Sequence, residues 1–473
     1  MVFSSTVFLF VFLPLVLAVY YLLDRRFKNT FLLLASLVFY AWGEPKFVVV
    51  MLFSILVNYI FGLLASRTGS KGYRRSVLAL AAAFNIGLFF VFKYLNFTIY
   101  NLNKLMGGEY LPQTEIALPI GISFFTFQAM SYVFDVAQGR GQVQKNPLDV
   151  ALYIALFPQL IAGPIVRYET IAAEIKCRRE TLEDFAEGIR RFICGFAKKA
   201  ILANSLAVLA DQAFRISGFE ELSVSMAWLG AVSYTLQIYY DFSGYSDMAI
   251  GLGRMFGFHF EENFRYPYMA GSVSEFWRRW HISLGSWFRD YVYFPLGGSR
   301  VKSRGKLLRN LFAVWLLTGI WHGAAWSFVA WGLMYFILIL FEKLTGYPEK
   351  LKNDGLRLLY RLFTLLTVSC GWVIFRAEGL KNGLKYLGCM FGLMGNAVFD
   401  VAGVYLWSVS LVLLWISVLL CIPVFPWLRR VLGGKTFFVW KAVVSPLLYM
   451  ILFVAAASFT VVSTYNPFIY FNF

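Results

Sequence analysis

Charge, histidine and cysteine are all scarce in this chain. Of its 473 residues only 15% are charged, against about 25% in a soluble domain. There is too little polar side chain to cover a water-facing surface. The five cysteines, Cys177, Cys194, Cys370, Cys389 and Cys421, are odd in number and scattered. That excludes a disulfide framework and a Cys/His metal site of recognisable spacing, and they read as core residues. Three histidines in all are too few for a zinc centre, so no metal is expected. The first apolar run, Ser5 to Leu23, lacks the basic leader and small-residue cleavage site of a secretory signal. No internal repeat is apparent, which weakens a transporter built on inverted repeats.

What remains is apolar: 59% of the residues, with aromatics at 19%. Runs of about 20 apolar residues recur, each long enough to cross a bilayer as a helix. The sequence predicts an all-α multi-pass integral membrane protein, a single membrane domain over 1–473. Candidate segments are 5–23, 30–43, 46–66, 76–97, 116–137, 149–165, 189–213, 224–252, 306–322, 325–343, 356–376, 403–424 and 438–463. Several are short or broken by Gly and Pro, which suits partial helices buried within protein. About eleven full crossings are expected.

The formal charge is +17. In a lipid-embedded chain this reads as basic loops held on the cytoplasmic face of the cell membrane, not as a nucleic-acid surface. "DRRFK" (24–28) and "RTGSKGYRR" (67–75) are then cytoplasmic and the N-terminus lies outside. The stretch from Arg167 to Lys199 mixes both charge signs and reads as a water-facing cytoplasmic helical region.

"SVSEFWRRWHISLGSWFRDYVYFPLGGSR" (272–300) reads as one interfacial amphipathic helix. On the wheel Trp277, Trp280, His281, Leu284, Trp287, Phe288 and Tyr291 share a face. Arg278, Arg279, Ser283, Ser286, Arg289 and Asp290 lie opposite. His281 is either a packed histidine with a carbonyl partner or a site residue facing a cavity. Arg278, Arg279, Arg300, Arg304 and Lys306 suit anionic lipid, or the phosphates of a nucleotide-containing acyl donor. His322 sits in "TGIWHGAAWSFVAWG" (318–332). An ionisable side chain in such a segment is a functional candidate. A single imidazole without metal-ligand company suits a general base, and an apolar pocket favours its neutral, basic form. That chemistry fits acyl transfer from a thioester to an alcohol.

Taken in order, seven stretches resemble the membrane-bound O-acyltransferase family, in its bacterial branch of polysaccharide O-acetyltransferases and teichoic acid D-alanylation proteins. They are "LPIGISFFTFQAMSYVFDV" (118–136), "FPQLIAGPIVRY" (157–168), "YYDFSGYSDMAIGLGRMFGF" (239–258), "NFRYPYMAGSVSEFWRRWHISLGSWFRDYVYFPLGG" (263–298), "TGIWHGAAWSFVAWG", "GWVIFRA" (371–377) and "YNPFIYFNF" (465–473). The resemblance implies a ring of helices around a central funnel, with His322 catalytic and His281 the second site residue. It implies acetyl-CoA or another acyl thioester as donor substrate, with no permanently bound cofactor. It also implies a separate extracytoplasmic SGNH-type acyltransferase that delivers the group to a polysaccharide. On this reading Trp321 and Trp326 shape the passage, and the 278–306 cations receive the donor. His281 or a backbone amide steadies the oxyanion. Asp241, Asp247 and Asn263 are read as polar support, pairing with arginine or satisfying buried hydrogen bonds. Two rivals stand beside it: D-alanyl transfer from a carrier protein, and a transporter or polysaccharide translocase.

Overall fold

The computed structural model describes residues 1–473 except 68, 217, 425–426, 428–429, 432–443, 463–464 and 466–473. Most of the closing "YNPFIYFNF" and part of the 438–463 segment therefore lie outside the described residues. Among the described residues the chain is helical and contains no strand. An apolar chain satisfies its backbone hydrogen bonds within each helix, which is what a bilayer interior demands.

Seven described helices are long and apolar enough to cross a membrane: Val48–Ala65, Lys71–Met106, Leu182–Phe214, Trp326–Thr345, Asp354–Arg376, Val401–Leu420 and Ser445–Val462. Val224–Met255 and Arg304–His322 are long enough but more polar. The expected 149–165 segment is split into Pro147–Ala155 and Phe157–Leu160. Pro158, which has no N–H, prevents one continuous helix there.

Contacts divide the chain into two compact units, residues 1–192 with 245–261, and residues 193–244 with 262–473. In the first, Ile122–Gln138 is buried along nearly its whole length and packs on Val48–Ala65 and Lys71–Met106. Gly62 makes that approach possible, because a Cβ there would lie 2.3 Å from the Tyr132 ring. Asn58 and Asn85 exchange amide hydrogen bonds at 3.1 and 2.8 Å inside this layer.

The charged stretch from Arg167 to Lys199 is not simply water-facing. Arg167, Arg178 and Lys199 are buried. Arg178 donates to Tyr20 Oη at 3.1 Å and to Asn29 Oδ1 at 2.6 Å, and Tyr20 donates to Glu180. Arg191 pairs with Asp247 at 2.8 Å. These charges are held by partners far away in sequence, as buried charges must be paired. The reading of all five cysteines as core fails for Cys177, which is exposed; Cys389 and Cys421 are buried.

The second unit holds both central histidines. Its tightest feature is the pairing of Arg304–His322 with Trp326–Thr345. Around it lies an aromatic core that includes Trp280, Trp315, Trp331, Tyr335 and Trp372.

Candidate active site

His322 is the last residue of its helix, and a hairpin places it. A Cβ on Gly332 would lie 2.5 Å from the Trp315 carbonyl oxygen, and one on Gly319 would lie 2.5 Å from the Phe328 carbonyl oxygen. Only glycine lets the two helices come this close. Gly323 makes the turn. Its extended backbone suits any residue, but a Cβ would stand 2.1 Å from the Phe328 ring. His322 is thus delivered, 5% exposed, into an aromatic box. Its ring centre is 5.0 Å from Trp321, 5.1 Å from Trp331 and 5.1 Å from Phe375.

His281 arrives differently. The expected single helix over 272–300 is broken into Val273–Arg279, Ile282–Phe288 and a wider turn at Arg289–Tyr293. The break is His281 itself, which adopts a left-handed conformation with φ 44°. For a residue with a Cβ this costs roughly 1–2 kcal/mol. Asn263 offsets it. Its backbone oxygen accepts from Ile282 N–H at 3.0 Å. Its Oδ1 accepts from Ser283 N–H at 3.2 Å and from the Ser283 hydroxyl at 2.9 Å. The break turns Ile282–Phe288 relative to Val273–Arg279, so the wheel assignment holds for exposed Arg278 and Arg289 and fails for the rest of the polar face beyond the break. Ser283, Ser286 and Asp290 are buried, while Trp280, His281, Leu284, Trp287 and Phe288 are buried as expected.

The His281 ring packs edge-on against Phe242 at 4.6 Å. Its Nδ1 is 3.2 Å from Asn263 Oδ1. Burial pushes its pKa down to about 3, so the imidazole is neutral at ordinary pH. The Trp321 ring lies 6.0 Å from His281 and 5.0 Å from His322. One indole therefore stands against both imidazoles, which are 41 positions apart in the chain.

The geometry also has a second anchor. Glu342, buried in Trp326–Thr345, accepts from the backbone N–H groups of Val273 and Ser274, each at 2.8 Å. It also accepts from the Tyr360 hydroxyl at 3.0 Å. A carboxylate on the first N–H groups of a helix satisfies donors that have no intrahelical partner. It fixes the start of the segment that ends at His281.

A family model, "MBOAT, membrane-bound O-acyltransferase family", matches residues 88–346. A probable alginate O-acetylase AlgI of Pseudomonas putida is 39% identical over the whole of both chains. The chain belongs to the membrane-bound O-acyltransferase family. It is accordingly an acyltransferase and an integral membrane protein. Other relatives are a peptidoglycan O-acetyltransferase of Helicobacter pylori, 35% identical over 84% of this chain and 80% of the relative, and a teichoic acid D-alanyltransferase of Bacillus subtilis, 28% identical over 55% and 69%. The family span contains Asn263, His281, Trp321, His322 and Glu342. The box is completed by Phe375, which lies beyond it.

The other candidates fall in several places. Asp241 pairs with Lys199 at 2.6 Å, both fully buried; its partner is lysine where arginine was expected. Asp247 pairs with Arg191 in the first unit. Arg279 pairs with Glu275 at 2.6 Å. Arg278, Arg300, Arg304 and Lys306 are exposed. Trp326 is 57% exposed, in contrast to buried Trp321. Sequence reasoning missed Glu342, although a lone acid in an apolar helix is the kind of signal that singled out His322. It also missed Gly319 and Gly332, whose importance appears only when two helices are laid together.

Proposed function

We propose that this enzyme passes an acetyl group from a cytoplasmic thioester, acetyl-CoA, across the cell membrane for O-acetylation of an extracytoplasmic polysaccharide. The observation that carries the reading is the pair of buried imidazoles that both lie against Trp321. His322 acts as general base. The acceptor hydroxyl gives its proton to the imidazole as its oxygen attacks the acyl carbon. The carbon–sulfur bond then breaks, and the departing thiolate takes the proton back. Relatives named for alginate and peptidoglycan O-acetylation match most or all of the chain, whereas the D-alanyltransferase match covers about half. This favours acetyl over D-alanyl.

The remaining parts belong to the same reading. The N-terminus is extracytoplasmic and the "RVKSRGK" stretch (300–306) is cytoplasmic by the positive-inside rule. Arg278, Arg279, Arg300, Arg304 and Lys306 receive the donor's phosphates, for which arginine's fork is suited. A separate SGNH-type acyltransferase outside the membrane completes delivery to the polymer. Membrane lipids surround the whole as one functional domain. His322→Ala in proteoliposomes should lower acetyl transfer on the order of 10²–10⁴-fold, the usual contribution of a general base. Wild-type turnover by the well-inserted variant would refute the assignment. In the same assay, replacing Arg300, Arg304 and Lys306 together should raise KM for acetyl-CoA. An unchanged KM removes the donor route.

A further inference from the structure

Asn263 does more than satisfy a turn. A backbone N–H can only donate, so the Asn263 atom that meets Ser283 N–H is its amide oxygen, which settles the orientation of the side-chain amide. The same oxygen lies 3.2 Å from His281 Nδ1. An amide oxygen has no proton to give, so the hydrogen of that contact sits on Nδ1. The Ser283 hydroxyl, 3.5 Å from Nδ1, directs its own proton to Asn263. It therefore turns a lone pair toward the ring, with the same polarity. The imidazole is neutral because burial disfavours its charged form. A neutral ring with its proton on Nδ1 carries a bare lone pair on Nε2. That Nε2 is buried and has no hydrogen-bond partner among the described residues.

We infer that Asn263 is a positioning residue that holds His281 in its Nδ1–H form, so that Nε2 meets the substrate as a hydrogen-bond acceptor for a hydroxyl group. This rests on the reading of His281 as a site residue. It has a direct consequence for the division of labour. A ring nitrogen without hydrogen cannot donate to an oxyanion, so His281 does not steady the acyl oxyanion. That duty falls to another N–H group. The left-handed backbone at His281 and the three hydrogens converging on one Asn263 oxygen serve one end, the fixed presentation of Nε2.

Nitrogen-15 NMR of the histidine-labelled full chain in lipid bilayers tests this. The shifts of the two ring nitrogens report which one carries hydrogen. With three histidines in the chain, His259→Gln and His322→Gln assign the signals. The expected spectrum at neutral pH has His281 protonated on Nδ1 and bare on Nε2. Asn263→Leu, which removes the acceptor, should move hydrogen to Nε2 and lower kcat at least about tenfold, with KM for acetyl-CoA unchanged; loss of the partner that sets a working imidazole's tautomer can cost up to about 10⁴-fold. Asn263→Asp restores an acceptor oxygen and should recover both tautomer and turnover relative to the leucine variant. A proton on Nε2 in the wild-type protein overturns the inference, and so does a leucine variant with unchanged tautomer and kcat. Should the leucine variant fail to fold, the wild-type and aspartate spectra still decide. Full turnover by His281→Gln would instead overturn the substrate contact, leaving the tautomer result standing.

Discussion

Gly332→Ala probes how the hairpin sets the site. The new Cβ would lie 2.5 Å from the Trp315 carbonyl oxygen and 3.2 Å from Gly319 Cα. The first contact falls about 0.9 Å short of the 3.4 Å at which contacts become ordinary. Both obstacles are backbone, so no side chain can swing aside and the helices must part. Overpacking of this kind costs typically about 1–3 kcal/mol. Alanine's better helix propensity returns up to about 1 kcal/mol, leaving a modest net loss of stability. The rate should suffer more. Trp331 adjoins Gly332, and His322 lies three residues beyond Gly319; their rings meet at 5.1 Å across the same interface. A misplacement of about 1 Å can cost on the order of 10²-fold in rate. The assay is transfer turnover per folded molecule in proteoliposomes, with Tm in detergent measured alongside. Gly87→Ala, where nothing lies within 4 Å of the added Cβ, is the control: turnover should be unchanged, and Tm should not fall but rise slightly with alanine's helix propensity. A Gly332→Ala protein with wild-type turnover and Tm refutes the close-packing argument. A lowered Tm with unchanged turnover refutes its link to the site.

Glu342→Ala leaves the Val273 and Ser274 N–H groups and the Tyr360 hydroxyl without their acceptor. At about 1–3 kcal/mol for a buried orphaned group, Tm should fall by more than in Glu342→Gln, which keeps one acceptor oxygen; equal Tm for the two variants would show that Glu342 is not the anchor. His259 bridges Glu174 at 2.8 Å and Asp184 at 3.2 Å. Partial burial works against its charged form, but the hydrogen bonds and charges of the two acids prevail and raise its pKa above the ordinary 6.5. A raised folded pKa gives stability that is fully present below 6.5 and is lost as pH climbs through the raised value. The Tm difference between wild type and His259→Gln should therefore be largest near pH 6 and shrink toward pH 9. A difference that grows with pH would contradict the bridge.

The membrane class, the helical fold and the two central histidines were legible in the sequence. Each depends on a local property. Apolar runs of bilayer length need no partner to be recognised, and an imidazole among tryptophans stands out by composition alone. The helix ending at His322 was expected over 306–322 and is found at Arg304–His322. What tertiary structure decided is where distant partners override local periodicity. The wheel over 272–300 assumes an unbroken helix, but Asn263, 18 positions before His281, supplies the hydrogen bonds that let His281 turn left-handed. Ser283, Ser286 and Asp290 are buried as a result. Buried Arg178 and half-buried Arg191 turn inward because Tyr20, Asn29 and Asp247 meet them, and no window of neighbouring residues contains those partners; Lys176, Arg179 and Glu183 are exposed, as expected of a water-facing stretch. Trp321 and Trp326 look alike in sequence, yet one stands against both histidines and the other is exposed. A helix's pattern sets which face is apolar; only the packing of one helix on another sets what that face meets.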